Sequence, residues 1–286
     1  MRWKSGRRSS NIEDRRGVRI SKKTVAGGGL TTVVLVLVAM YFGIDPGVVM
    51  QVANPNQGVE ERVEQVSLSA AEQELTDFVS VVLADTEDTW QAIFRRGGAQ
   101  QYREPKLVLF RGAVKSACGF AQDAMGPFYC PADEKVYIDL SFFQDLRDRF
   151  KAPGDFAQAY VIAHEIGHHV QTLLGISQQV HQQRRRLSRQ DANRLLVRQE
   201  LQADCFAGIW AFHADRARQI LESGDIEEGL TAANAIGDDR LQRQSRGYVV
   251  PDSFTHGTSL QRVSWFKKGL ASGDINICDT FQARDL

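Results

Sequence analysis

The pentapeptide HEIGH, His164 to His168, places two imidazoles and a carboxylate at the spacing of an H-E-x-x-H pattern. On a helix, residues four apart stand one above the other, so His164 and His168 can reach a single metal ion. Neutral imidazole is a good ligand for zinc, and zinc lowers the pKa of a bound water from nearly 16 to about 7. Glu165 projects about a quarter-turn from His164, placed to hold that water without being a ligand. Together the three residues can perform metal-assisted hydrolysis with Glu165 as general base. A third ligand has to come from elsewhere.

Its candidates are His169, His181, His213, His256 and the carboxylates of a neighbouring helix. His169 follows His164 by five residues and points off the ligand face. The longer H-E-x-x-H-x-x-G-x-x-H form fails, because Gln171 and Leu174 stand at its later positions. Glu200 and Asp204, in RQELQADCFAG (Arg198 to Gly208), lie four apart on the apolar stripe of a helix. Two acids aimed at a core are costly unless a positive or strongly hydrogen-bonding group meets them. Glu200 is therefore expected as third zinc ligand, and Asp204 as acceptor for a ligand histidine's second N–H. The competing reading pairs Glu200 with Arg198 or Arg194 at the surface and leaves Asp204 a surface acid. His256, in a loop before a helix start at Ser259, is expected to donate to the oxyanion of a tetrahedral intermediate. Tyr248 is the alternative donor. His181 and His213 are expected on helix surfaces.

These side chains need rigid elements beneath them. The active helix is expected between Gly154 and Gly175. Before it, Ser69 with Glu72 resembles a capping box, and Leu75, Phe78, Val79, Val82, Leu83, Trp90, Ile93 and Phe94 recur at helical spacing up to Gly97-Gly98. KLVLFRG reads as a strand, and FYCPADEKVYIDL as two short strands around a turn at Ala132 to Lys135. A strand edge beside a metal could hold an extended peptide, and Val136 to Leu140 is the expected edge. Ser141 is expected to cap a short helix, SFFQDLRDRF. The second half reads as helices over Ile176–Leu187, Arg189–Asp215, Asp225 to about Gln244 and Ser259–Leu270.

The 286 residues carry 35 basic and 35 acidic side chains, unevenly placed. Residues 1–23 hold nine basic and two acidic residues, leaving 26 and 33 for the rest, a mildly acidic remainder that gives no support for nucleic-acid binding. Thr24 to Ile44 contains no charge, and around twenty apolar residues at a rise of 1.5 Å match a hydrocarbon core of about 30 Å. The expected organisation is a basic cytoplasmic arm at 1–23, a transmembrane helix at 24–44, a linker at 45–67 and a catalytic domain at 68–286. The positive-inside bias puts the arm in the cytoplasm of a bacterial cell and the domain outside its inner membrane. An exported domain permits disulfides. The local strand and Gly-Pro turn favour Cys118–Cys130, leaving Cys205–Cys278 to clip the C-terminal tail to a central helix. A cysteine zinc site is disfavoured by the absence of C-x-x-C.

HEIGHH at 164–169, ELQAD at 200–204 and HGTSLQR at 256–262, with MRW at the start and NIEDRRG at 11–17, resemble the membrane-anchored members of the bacterial neutral zinc metallopeptidase family. That resemblance implies a zincin-like fold, one zinc ion held by His164, His168 and Glu200, and Glu165 as base. The expectation is thus an α+β, predominantly helical metallopeptidase domain with a small β-sheet behind one transmembrane helix, acting on a peptide or protein substrate. The rival expectations are a non-catalytic envelope protein with a structural zinc site or docking role, and a zinc hydrolase of a non-peptide amide.

Overall fold

A computed structural model describes residues 1–21, 60–63, 68–98, 101–122, 126–284 and 286. The apolar stretch Thr24–Ile44 lies outside these. Among the described residues no helix is long and apolar enough to cross a membrane. Met1–Arg15 and Ser67–Leu286 form one compact unit, and Arg16–Val66 a second. In the second, β2 (Val18–Ser21) pairs antiparallel with β3 (Glu60–Val63), setting Ser21 opposite Glu60.

The larger unit is an α+β assembly, mostly helical. Its first helix, α1 (Ala70–Gly97), starts at Ser69, whose side chain and Glu72 form the expected capping box, and ends at Gly98 in the left-handed conformation. A four-stranded sheet follows in the order β1 (Ile12–Asp14), β4 (Lys106–Phe110), β8 (Lys135–Asp139), β7 (Phe128–Cys130). The first three strands run parallel, and β7 returns antiparallel on β8. The outer strand next to the site is therefore β7, and the expected edge at Val136–Leu140 is corrected. The tight turn after Cys130 folds β7 back to the outside, leaving the more deeply buried β8 flanked by strands on both sides. A hairpin of β5 (Ala113–Ser116) and β6 (Gly119–Gln122) stands apart.

Helices α2 (Ser141–Asp148), α3 (Asp155–Leu173), α4 (Ile176–Arg184), α5 (Arg189–Arg218), α6 (Asp225–Ala235), α7 (Asp238–Arg246) and α8 (Ser259–Ser272) complete the unit. At the start of α2 the N-cap position is Leu140, and Ser141, expected to cap, is instead the first helical residue, its N–H met by Asp139 Oδ1 at 3.0 Å. The single helix expected from Asp225 to Gln244 is broken between α6 and α7, which brings Asp238 under the loop holding His256. One Asp238 oxygen accepts the N–H groups of Thr255, His256 and Gly257 at 2.7, 2.7 and 3.1 Å. Two disulfides, Cys118–Cys130 and Cys205–Cys278, join the expected partners. The second closes 73 residues and holds the C-terminal turn against α5.

The first fifteen residues are not a separate arm. Strand β1 sits in the sheet in register with β4, and backbone bonds Leu107 N–H to Asn11 O (2.9 Å) and Arg15 N–H to Leu109 O (2.8 Å) extend the pairing. Trp3 packs edge-on against Phe78 of α1 with centroids 5.3 Å apart. Glu87, fully buried on α1, receives Ser9 Oγ at 2.6 Å, Asn11 Nδ2 at 2.9 Å and Arg7 Nη2 at 2.8 Å. Met1–Arg15 thus packs in one compact unit with Ser67–Leu286.

Removing residues 1–15 is expected to lower stability by about 3–5 kcal/mol, because Glu87 would stay buried without its donors. Replacing 22–59 by a short turn is expected to preserve the melting temperature, since β2 and β3 already bring those ends together. Thermal unfolding followed by circular dichroism compares the two. Equal melting temperatures for the 1–15 deletion and the parent would refute the structural role of the arm.

Candidate metal centre

Two long helices form the centre. Helix α3 buries Phe156, Tyr160, Ile162, Ile166 and Val170 and carries HEIGH on the adjoining face. Helix α5 buries Leu201, Cys205, Phe206, Ile209 and Trp210 and presents Glu200 and Asp204. They meet at Gly167, where a Cβ would stand 2.9 Å from Ala203 O and 3.0 Å from its Cα. Only glycine permits that approach, and it brings the acids of α5 within reach of the imidazoles of α3. Helix α8 closes on the other side of α5 by the same device. A Cβ on Gly208 or Gly269 would fall 2.2 or 2.0 Å from the facing backbone.

His164 Nε2 and His168 Nε2 lie 3.2 and 3.4 Å from one oxygen, Glu200 Oε2. All three donor atoms fall within 4.8 Å of one another. The expected ligand set is thereby brought together. Two imidazole nitrogens with one carboxylate oxygen is the donor set of catalytic zinc sites that leave a fourth position open. The residues fit a zinc ion by type, number and convergence.

The electrostatics point the same way. Burial works against a charged ring at His164, but Asp204 and then Glu200 outweigh it and hold its pKa up at about 10. At His168 burial is again overcome, here by Glu200. Glu200 is also opposed by burial, yet His168 and His256 keep its carboxyl well below the usual carboxylate range. The cluster thus holds ring protons about a shared point, which a divalent cation would displace on binding.

Behind the ligands is a buried frame. His164 Nδ1 donates to Asp204 Oδ1 at 2.8 Å, as the sequence led us to expect. The same Asp204 accepts the Tyr160 hydroxyl at 2.5 Å and Nε and Nη2 of Arg262, both at 2.9 Å. Neither Asp204 nor Arg262 is more than 2% exposed. His168 Nδ1 donates to Gln171 Oε1 at 2.9 Å, and Gln171 Nε2 is anchored on Gln199 O (2.7 Å) and Gln202 Oε1 (3.1 Å). Three of these positions went unassigned in the sequence. Gln171 figured only as the residue that breaks the longer motif, although it lies one helical turn after His168. Tyr160 lies one turn before His164, and Arg262 sits within the HGTSLQR segment.

Glu165, 8% exposed, lines the same cleft and has no hydrogen-bond partner among the described residues. The cleft measures about 750 Å³ and is walled by Phe128, Tyr129, Val161, Val180 and His256 besides the site itself. His256 is half-exposed, with Nδ1 facing Thr255 Oγ1 at 3.0 Å and Asp238 Oδ1 at 3.3 Å. Burial works against its charged form, but Glu200 and Asp238 raise its pKa overall. Tyr248 is 61% exposed and lies outside the cleft wall. His169 is fully buried off the ligand face, between Arg103 O (2.6 Å) and the Tyr129 hydroxyl (3.1 Å), and ties β7 to α3. Burial lowers its pKa. His213 bonds Gly273 O at 2.8 Å, and His181 is exposed at the cleft rim.

A second acidic cluster, Asp155, Asp225 and Glu228, is already satisfied within the chain. The Met1 ammonium lies 2.6 Å from Asp155 and 3.3 Å from Asp225, while Glu228 accepts the Phe156 N–H at 3.1 Å.

A family model described as "Putative neutral zinc metallopeptidase" matches residues 1–281. The chain is 52% identical over 292 residues to the uncharacterized protein YpfJ of Escherichia coli (strain K12), spanning 98% of this chain and 99% of that protein. It is 40% identical over 260 residues to the uncharacterized protein Rv2575 of Mycobacterium tuberculosis (strain H37Rv), across 87% of this chain and 86% of the other. No solved structure matches it.

Proposed function

Because the chain belongs to the neutral zinc metallopeptidase family, and its family motif folds into a convergent ligand set, we propose that it is a zinc-dependent peptidase. The observation that carries this reading is the approach of His164 Nε2 and His168 Nε2 to Glu200 Oε2 at 3.2 and 3.4 Å, in a cleft that Glu165 also lines. Among the described residues no fourth His, Cys, Asp or Glu donor joins the three, as a closed structural site would require.

His164, His168 and Glu200 would hold the zinc ion, which when bound supplies Lewis acidity to water and to a scissile carbonyl. Asp204 and Gln171 fix the two ring tautomers, so that each imidazole turns Nε2 toward the centre. An extended peptide can pair with the outer edge of β7, which lays its backbone along the cleft. Glu165 takes the proton of the attacking water and passes it to the leaving amine. His256, oriented through Nδ1 by Asp238, is free at Nε2 to donate to the developing oxyanion. Membrane attachment through Thr24–Ile44 belongs to the same proposal. It is tested by whether replacing 22–59 moves the protein from the membrane to the soluble fraction.

Digestion of a peptide library by the purified full-length protein, with and without a chelator, tests the activity. Cleavage is expected only with metal, at about one zinc per chain by elemental analysis. Glu200→Ala should lose both zinc and cleavage. Chelator-resistant hydrolysis, or a Glu200→Ala protein with full zinc content, would overturn the assignment.

A further inference from the structure

The cleft beside the metal centre is lined by more positive charge than its chemistry uses. Arg149, just after α2, Arg184, in the last turn of α4, and Arg246, in the last turn of α7, come from three separate elements and line one cleft with His164, Glu165 and His168. All three are exposed, and none forms an ion pair among the described residues. Arg149 lies over the Phe150 ring, its guanidinium carbon 5.1 Å from the centroid, which keeps it near the cleft wall. Beyond the catalytic carboxylates, the one acid in the lining is Asp145. An adjoining depression shares Arg149, Phe150 and Gln244 with the cleft and adds Lys151, Arg240 and Arg243 against one acid, Asp239.

Composition does not account for this concentration, since residues after 23 carry 26 basic against 33 acidic side chains. Long cationic side chains held together without partners repel one another, and an anionic ligand between them relieves that repulsion. A peptide paired along β7 would present alternate side chains to the walls from which these arginines project. Phe128, Phe142 and Phe150 in the same lining leave room for apolar neighbours.

We propose that the cleft selects acidic peptides, with Arg149, Arg184 and Arg246 as specificity-determining residues that receive Asp or Glu side chains flanking the scissile bond. The inference rests on the peptidase reading for its catalytic meaning, but its own test reads binding. A fluorescent peptide bearing Asp and Glu on both sides of a central apolar pair is titrated into the zinc-loaded full-length Glu165→Gln protein, beside its Asn/Gln counterpart. The acidic peptide should bind about tenfold tighter at low salt, with the advantage shrinking as salt rises. Charge-reversal variants Arg149→Glu, Arg184→Glu and Arg246→Glu should each cut the ratio by about two- to fivefold, and the triple variant should abolish it. Circular dichroism of the variants verifies the fold.

Equal binding of the two peptides, or an acidic preference that survives the triple variant, would overturn the proposal. So would triple-variant loss of binding to phosphatidylglycerol vesicles with no change in the peptide ratio, which would assign the arginines to a lipid surface. Wild-type protein that binds acidic peptides selectively and cuts none would refute the peptidase reading and leave the selectivity standing.

Discussion

Glu165→Gln should reduce peptide hydrolysis by on the order of 10²–10⁴-fold in kcat while zinc content stays at its wild-type level, a range set by what a positioned general base contributes. The separation follows from geometry. Glu165 is in the cleft but supplies none of the three converging ligand atoms. Glutamine keeps the side chain's shape and cannot take a proton from water. Because Glu165 has no hydrogen-bond partner among the described residues, the substitution breaks no bond of the frame, and the melting temperature should hold. Stopped assays on a peptide cleaved by the parent, paired with elemental analysis, read both quantities. A glutamine variant that cleaves at the parental rate would end the general-base role.

The second large effect is expected at Asp204, where catalysis and folding share one carboxylate. Burial would push its pKa up, but Arg262 and then His164 hold it down at about 2. It therefore stays charged, with His164, Tyr160 and a bidentate Arg262 around it. Asp204→Ala leaves the Arg262 guanidinium buried without its counter-charge, at a cost of about 3–5 kcal/mol. Against a typical domain stability of about 5–15 kcal/mol that is a large share. The same substitution frees the His164 ring to rotate and should weaken zinc binding about 10- to 100-fold. Denaturant unfolding with chelator present isolates the folding part, and competition with a zinc-binding dye isolates the other. The pH dependence has a definite sign: with a depressed folded pKa, the contribution is fully present above the unfolded value of about 4 and is lost as pH falls toward 2. Parental stability and zinc affinity in Asp204→Ala would show that the frame does not act as a unit.

The parts of this centre legible in the sequence were those with a local period. HEIGH placed two ligands on one helical face, and the four-residue step from Glu200 to Asp204 on an apolar stripe marked two acids with buried business. The capping box at Ser69 and both cysteine pairings were readable for the same reason, being set by short-range pattern or by simple exclusion. What escaped notice depends on contacts without such a period. Strand β1 is three residues long, IED, and finds its parallel partner about ninety residues later. Nothing in its alternation marks it as a strand. Glu87 carries no local signal of burial, because its donors come from the first eleven residues of the chain. The break between α6 and α7 answers to a loop nearly twenty residues downstream, and no local propensity reports that.

The place of β1 also bears on the order of biosynthesis. The strand leaves the ribosome before the others of its sheet, yet its hydrogen-bonding partner does not exist until β4 at Lys106–Phe110 has emerged. Through that interval the amino-terminal stretch must wait unpaired, with the segment 22–59 emerging behind it. Closure of a pairing so distant in sequence is intrinsically slow, so the nascent chain has to keep its opening residues tethered near the site of assembly. The antiparallel pairing of Val18 with Val63 already closes part of that interval before β4 emerges.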